Sequence, residues 1–427
     1  MKDTTSINWG LIAKKAATSD ISLKEKVTAC DEAVDKLIQK DLFSYNRYVE
    51  HGHAANSIVC DPDNNTKREC VSFVTNHYLG LNRHPEVIAA SVRATKVYGT
   101  GTGTSAMAGG LIDSHHFLQN SLAEFVGKEC AMLFTTGFTA NFGFISALIT
   151  KNDYVIFDKE CHASLIEGIL NTSAPFRSFK HNCLAKLEER LARATEKGFK
   201  NIFVIIESVY SLSGEEAPIE EICRLKQKYD FYLFVDEAHS FGIYGEYGQG
   251  LVHQKGCTNQ VDFIMSTLSK STASLGGFVA CDKRYINYLR VISRPFMFQA
   301  TLPPSSTSAA QKALEVLSTD NSYRLKLWKN NAYLRQALLE KGFNLGESTS
   351  PIIPVYVSDH EKLQDLCREL LNNGVFTTVI AYPAVGSTEG RLRFIVTSSH
   401  TTEQLDFAAD AMTNVALELG ILKSNET

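Results

Sequence analysis

The 427-residue sequence predicts an α/β fold, with a mostly parallel central sheet flanked by helices and a smaller α+β domain at the C-terminal end. Three observations lead there. From about residue 117, helical stretches alternate with short apolar runs, the pattern of a parallel sheet covered by helices. A composition break falls at ISRPFMFQATLPPSS (292–306), and the pattern beyond it is mixed α and β. The chain is 44% hydrophobic and 21% charged, enough for a large core beneath a soluble surface, and its length suits two to three domains.

Taken in order, residues 1–65 read as an N-terminal arm. Helical patterning over Leu23–Leu42 gives way to loops and a short hairpin. Residues 66–295 read as a large domain. CVSFVTN (70–76) is a strand, and HPEVIAASVRATKVYG (84–99) is a helix closed by Gly99. A glycine-rich loop, GTGTGTSAMAGG, follows. The strands are then CAMLFTT, YVIFD, NIFVIIES, FYLFVDEAH, VDFIMSTLS and GGFVACD. Residues 296–427 read as the smaller domain, with one long helix, strands PIIPVYV and RLRFIVTSS, and two more helical segments.

Charge and cysteine usage narrow the function. Lys+Arg is 43 and Asp+Glu 47, a net charge of -4, so no strong field draws nucleic acid or an anionic membrane. The ten cysteines are scattered, without a CxxC pair, so neither a zinc ribbon nor a disulfide framework is expected, and no metal site. The start carries no basic and apolar leader, and no run of about 18 apolar residues could span a membrane. These features fit a cytoplasmic protein.

Several motifs have rival readings. FYLFVDEAHS (231–240) resembles a magnesium-binding helicase strand, but the GxxxxGK[ST] loop that chemistry needs is absent. Asp236 alone could be a helix cap; alternatively, Asp236 and His239 face a ligand at the carboxyl end of a parallel strand. GTGTGTS (99–105) follows a predicted helix rather than a strand, which argues against a dinucleotide loop. Lys270 follows the strand VDFIMSTLS and is backed by Gly276-Gly277, where small residues let a planar ligand approach. A lone lysine there would be ordinary. With Asp236 thirty-four residues upstream, it suggests pyridoxal phosphate, which needs an amine for a Schiff base and a carboxylate for the pyridine nitrogen. TTGFTANFG (135–143) offers a strand end, a glycine and a helix start for the phosphate. His162, in KECHASLIEG, lies at another strand-to-helix crossing, where a structural histidine is the plainer reading.

NHYLGLNRHP (76–85), TTGFTAN (135–141), CHASLIEG (161–168), ESVYSLSGEEAPI (207–219), VDEAHSFGIYGEYGQG (235–250) and TLSKSTASLGGFV (267–279) occur in this order. The run, over about residues 45–420, resembles the α-oxoamine synthases, pyridoxal-phosphate enzymes of fold-type I. SKSTASLGGFV, FMFQATLPPS and SPIIPVYV look most like the serine palmitoyltransferase branch. The resemblance implies a decarboxylative condensation of an amino acid with an acyl thioester, in a homodimer with shared active sites. It implies that Lys270 carries the cofactor and later acts as base. Asp236 would pair with the pyridine nitrogen, His239 with the phenolic oxygen, and His162 would stack on the ring. Thr136, Gly137, Phe138 and Thr267 fall at phosphate and ring positions, and Thr301 at a phosphate contact from the neighbouring subunit. Glu207 and Ser211 line the pocket. Asn76 and Arg393 lie near the substrate carboxylate. Ala106 stands where the family loop carries an arginine, which implies either a repacked structural position or altered specificity. A fold-type I aminotransferase or aldolase, a synthase using glycine, alanine or cysteate, and an inactive partner subunit are the alternatives. The sequence leaves the amino acid, the acyl length and the choice of CoA or carrier protein open.

Overall fold

A computed structural model describes residues 21–382 and 384–423; the first part of the expected N-terminal arm, residues 1–20, lies outside them. Packing divides the chain into two compact units. The smaller unit comprises residues up to Thr75, Leu212–Gly214 and Leu327 onward; the larger comprises Asn76–Ser211 and Glu215–Lys326.

The smaller unit begins with α1 (Leu23–Gln39), started by a Ser22–Glu25 capping box, and the strands β1 (Tyr48–Glu50), β2 (Asn56–Asp61) and β3 (Thr66–Ser72). β2 and β3 form the anticipated hairpin, and β3 ends at Ser72, short of the expected 76.

The larger unit opens with α2 (Pro85–Tyr98), closed by Gly99 at positive φ, and α3 (Asp113–Phe125). The alternating series follows: β4 (Cys130–Phe134), α4 (Gly137–Leu148), β5 (Tyr154–Asp158), α5 (Ala163–Leu170), β6 (Phe176–Phe179), α6 (Leu184–Glu196), β7 (Ile202–Glu207), α7 (Ile219–Leu225), β8 (Tyr232–Asp236), α8 (Leu251–Gln254), β9 (Phe263–Thr267) and β10 (Gly277–Cys281). The seven strands lie in the order β4-β10-β9-β8-β7-β5-β6. β9, β8, β7, β5 and β6 run parallel, and β10 is antiparallel to both its neighbours. Every residue of β7, β9 and β10 is buried, which explains runs such as IFVIIE that show no alternation. β6, reading FRSF, was not anticipated, because its polar residues sit on an exposed edge.

Helices α9 (Lys283–Ile292), α10 (Arg294–Phe298) and α11 (Pro304–Thr319) complete the larger unit. α11 packs on α2 and α3. The expected long helix is two, because Asp320 takes an extended conformation between α11 and α12 (Ser322–Glu340).

The smaller unit resumes with β11 (Ile352–Tyr356), α13 (His360–Asn372), β12 (Val375–Phe376), β13 (Thr378–Ile380), β14 (Arg391–Ile395) and α14 (Thr402–Glu418). β12 adds in parallel to β3, and β11-β14-β13 forms a second, antiparallel sheet. Ile395 N–H donates to Phe73 O at 2.8 Å, His400 Nε2 lies 3.1 Å from Ser72 O, and Phe73 stacks on the His400 ring at 4.5 Å.

The packing boundaries therefore differ from the expected divisions at 65/66 and 295/296. β3 pairs with a strand 300 residues later, and the composition break lies inside the larger unit, where α11 is bound to α2. Among the described residues no helix is long and apolar enough to cross a membrane, and no group of three or more His, Cys, Asp or Glu could hold a metal. All ten cysteines are free thiols.

Candidate active site

The site grows from the carboxyl ends of the parallel strands. β7 and β8 are registered so that Glu207 pairs with Asp236, and Asp236 with Met265 of β9. Residues that end apolar strands thus become neighbours across the sheet, where α/β sheets gather ligands.

Asp236 is buried and held from two sides. Its Oδ2 accepts from Asn141 Nδ2 at 2.7 Å, and its Oδ1 from the Ala238 N–H at 2.8 Å. Each oxygen keeps a further lone pair for a ligand N–H. Asn141 Nδ2 also donates to Ser164 Oγ at 2.9 Å, and Ser164 Oγ lies 2.8 Å from His162 Nδ1. One chain of bonds therefore orients both the carboxylate and the imidazole. Burial pushes the His162 pKa down, the Asp236 charge opposes this, and the Lys270 ammonium lowers it further. With its pKa lowered from the ordinary histidine value, the ring is neutral near pH 7.

Glu207 Oε1 accepts from the His162 N–H at 2.5 Å. Burial drives its pKa well above the usual carboxylate range, Asp236 adds to the rise, and Lys270 opposes it. The Lys270 charge thus acts on both His162 and Glu207. His239 Nδ1 lies 2.7 Å from Tyr78 Oη. When the phenol donates, Nε2 carries the proton and becomes a donor toward a ligand.

The phosphate-type corner is built by glycines. Thr136 caps α4, accepting from the Thr139 N–H at 3.0 Å, so the N–H groups of Gly137 and Phe138 have no acceptor within the helix. A Cβ on Gly137 would lie 2.8 Å from Thr267 Cβ, and one on Gly277 would lie 2.7 Å from Gly137 Cα. Any side chain at either position would separate α4 from the ends of β9 and β10. Thr267 Oγ1 donates to Gly276 O at 3.0 Å and lies 2.9 Å from Ser269 Oγ.

Thr301 Oγ1 donates to Gly110 O at 2.6 Å and meets Thr102 Oγ1 at 2.7 Å, tying down the glycine-rich loop. Ser211 is buried, and its N–H also reaches Glu207. Asn76 carries a buried Oδ1 without a hydrogen bond in this chain. Arg393 lies on β14 of the smaller unit, opposite Pro354 and Thr378. Ala106 opens a short helical turn beside a gap of about 20 Å³ shared with Leu133, Thr135 and Gln299, room for about one water.

One sequence ambiguity is resolved by these contacts. Glu237, the second carboxylate of DEAH, turns away from Asp236. Its Oε1 accepts from the Val252 N–H at 2.8 Å and from Ser240 Oγ at 3.0 Å, and burial lifts its pKa to about 7. It serves the start of α8, so the two acids do not form a metal pair. His162, Asp236, His239, Glu207, Thr136, Thr267 and Lys270 all belong to the larger unit. The sequence reading missed the residues that orient them: Asn141, Ser164 and Tyr78. A buried Asn141 among the apolar residues of helix α4 was the available signal.

A carboxylate aimed into the site, a neutral imidazole, a lysine amine and a helix start fit the ring, aldehyde and phosphate of pyridoxal phosphate.

Comparison with known proteins agrees. Residues 68–412 match the family described as aminotransferase class I and II. The chain is 37% identical over 382 residues to a serine palmitoyltransferase of Sphingobacterium spiritivorum, covering 90% of this chain and 94% of that protein. It is 36% identical over 391 residues to an 8-amino-7-oxononanoate synthase of Alkaliphilus oremlandii, covering 92% and 97%. The solved serine palmitoyltransferase of S. paucimobilis with PLP–myriocin bound superposes with a TM-score of 0.88 at 30% identity, covering 94% of this chain and all of that one.

Proposed function

Because the chain belongs to the class I and II aminotransferase family, and within it to the pyridoxal-phosphate-dependent α-oxoamine synthases, we propose that it condenses serine with a long-chain acyl thioester. The products are an aminoketone, CO2 and free thiol, in a lipid-forming reaction. The observation that carries the reaction class is the hydrogen-bonded cluster in which Asn141 fixes Asp236, Ser164 links Asn141 to His162, and His162 meets Glu207. Serine is favoured over alanine by the superposition, with a TM-score of 0.88 to serine palmitoyltransferase and 0.71 to the 8-amino-7-oxononanoate synthase of Francisella tularensis.

Pyridoxal phosphate, when bound, supplies an electrophilic carbon for the amino acid and an electron sink for its Cα carbanion. Asp236 keeps a proton on the pyridine nitrogen, and His239, oriented by Tyr78, donates to the phenolic oxygen. His162 covers the ring. The N–H groups of Gly137 and Phe138, with Thr136 and Thr267, hold the phosphate. Lys270 is the covalent anchor and then, as a free amine, the base that takes the Cα proton. Glu207 and Ser211 line the pocket, and Asn76 and Arg393 bind the substrate carboxylate.

The test is direct. Serine should shift the visible spectrum of the holoenzyme, and a palmitoyl thioester should then release one thiol and one CO2 per turnover. A spectral shift and thiol release with alanine but not serine would move the chain to the second reading, an 8-amino-7-oxononanoate-type synthase. No thiol release with any amino acid would reject the condensation.

The active form is a homodimer with shared sites. The larger unit exposes Ile88, Val92, Val97, Met107, Phe117 and Phe298, the last at 68%, side chains that a second subunit would cover. Thr301, tied to the glycine-rich loop, is the residue carried to the neighbour's phosphate. Sedimentation at micromolar concentration should give a single dimeric species; an active monomer would refute this.

A further inference from the structure

Segments following β5, β6 and β7 in the larger unit meet at a histidine that the reaction chemistry above does not use. His181 follows β6, which is registered so that Phe179 pairs with Asp158, the last residue of β5. The His181 side chain is 11% exposed, and its Nδ1 lies 2.9 Å from Asp158 Oδ1. Its Nε2 lies at ion-pair distance from two more acids, 3.3 Å from Glu215 Oε2 and 3.9 Å from Glu160 Oε2. Glu160 belongs to the turn between β5 and α5, and Glu215 to the segment after β7. The Tyr210 ring meets the imidazole edge to face at 4.3 Å.

Both ring nitrogens therefore face carboxylate oxygens. A neutral ring would turn a lone pair toward one of them, so the arrangement favours the imidazolium, in which both nitrogens carry protons. Burial opposes this charge, but Asp158 and Glu215, with Glu160 beside them, lift the pKa to about 10. Asn182 joins the same segments. Its N–H donates to Asp158 Oδ2 at 2.9 Å, and its Nδ2 to Glu216 O at 3.0 Å.

The groups held in this way support one wall of the active site. Buried Asp158 shapes the turn that ends at His162: its Oδ1 accepts from the Glu160 N–H at 2.9 Å, and its O from the Cys161 N–H at 3.1 Å. Glu215 is fastened to the segment that carries Ser211, because its O accepts from the Tyr210 N–H at 2.9 Å. Glu207, just before that segment, accepts the His162 N–H. His181 thus ties together the two segments between which His162 is fixed. Without its charge, Asp158, Glu160 and Glu215 would repel one another across a space that holds little water.

We propose that His181 is a positioning residue, the shared cation that holds the His162 imidazole against the cofactor ring. The proposal rests on the reading of His162 as the group that covers this ring.

The experiment uses the full-length holoenzyme and reads both kcat and the visible circular dichroism of the bound cofactor. His181→Gln keeps a polar side chain and removes the charge. Its kcat should fall about 10- to 100-fold, the scale set by displacing an active-site group by about 1 Å, and its visible dichroism should change as well. In a His162→Ala background the same substitution should change kcat by less than about twofold and leave the dichroism unaltered, because its target is gone. Glu215→Gln added to His181→Gln removes an uncompensated charge and should recover most of the lost dichroism. Should His181→Gln fail to fold, Glu215→Gln alone carries the test, from a side chain that is 24% exposed. It should then alter the visible dichroism of the otherwise unchanged holoenzyme and leave that of His162→Ala as it is. Effects that simply add to those of His162→Ala would overturn the proposal. So would a lowered melting temperature with kcat and visible dichroism unchanged, the mark of a purely structural group. No spectral change in His162→Ala itself would overturn the reading of His162 and the proposal with it. The dichroism is read without turnover, so failure of the condensation would appear separately, as absent thiol release.

Discussion

Lys270→Ala is expected to lose at least about a thousandfold in turnover while keeping part of its pyridoxal phosphate. General-base catalysis alone is worth about 10²–10⁴-fold, and the variant loses the covalent anchor as well. Cofactor retention follows from the independence of the other contacts. Asp236 remains fixed by Asn141 at 2.7 Å, and the first turn of α4 remains capped by Thr136. The bound cofactor should then absorb as a free aldehyde. The electrostatics shift in a calculable direction too. Lys270 now lowers the pKa of both His162 and Glu207, so its removal should raise both. A purified variant with near-normal turnover would remove Lys270 from the chemistry. A variant that is inactive but empty of cofactor would assign the lysine to binding alone.

Arg393→Ala should weaken amino-acid binding by about 2–4 kcal/mol, the range for leaving a buried charge partner unpaired. Cofactor content should not change, because no substrate carboxylate is present before the amino acid arrives. Spacing could not choose between Arg391 and Arg393, which sit two apart on one strand. Arg391 already has partners within the smaller unit. It is 3% exposed, donates to Tyr356 Oη at 2.9 Å and to Glu389 O at 3.0 Å, and stacks over the Tyr356 ring at 4.5 Å. Arg391→Ala should therefore lower the melting temperature, at a cost of about 1–3 kcal/mol for the buried groups left unsatisfied, and leave serine affinity alone. Spectral titration of both variants with serine decides this. An unchanged dissociation constant in Arg393→Ala would reject its role.

The candidate cofactor site could be read from the sequence because its parts are short and local. Each lies where an apolar run ends and a helix begins, at Thr136, His162, Glu207, Asp236 and Thr267, and such boundaries are written in adjacent residues. The groups that aim these parts were not legible. Asn141 reaches Asp236 across 95 residues, and Tyr78 reaches His239 across 161. Nothing local distinguishes them from ordinary core polar residues. The same holds for Glu237, which shares the strand end with Asp236 but serves the start of α8 instead.

By itself, then, the sequence determined the alternating order of strands and helices, the residues that end each strand, and the chemistry those residues can perform. The burial of every side chain in β7, β9 and β10 follows from continuous apolar runs that only a sheet covered on both faces can hide. Tertiary structure decided the rest. It set the register that puts Glu207 beside Asp236, the approach of Gly277 to Gly137, and the pairing of β3 with β12 that joins the two ends of the chain in one unit. It also decided that Arg391 is spent on Tyr356, and that α1 and α13 enclose a cavity. The physical reason is common to all of these. Hydrophobic burial and strand propensity act through neighbours along the chain, whereas register, hydrogen-bond partners and enclosed volume depend on groups that meet only when distant segments pack.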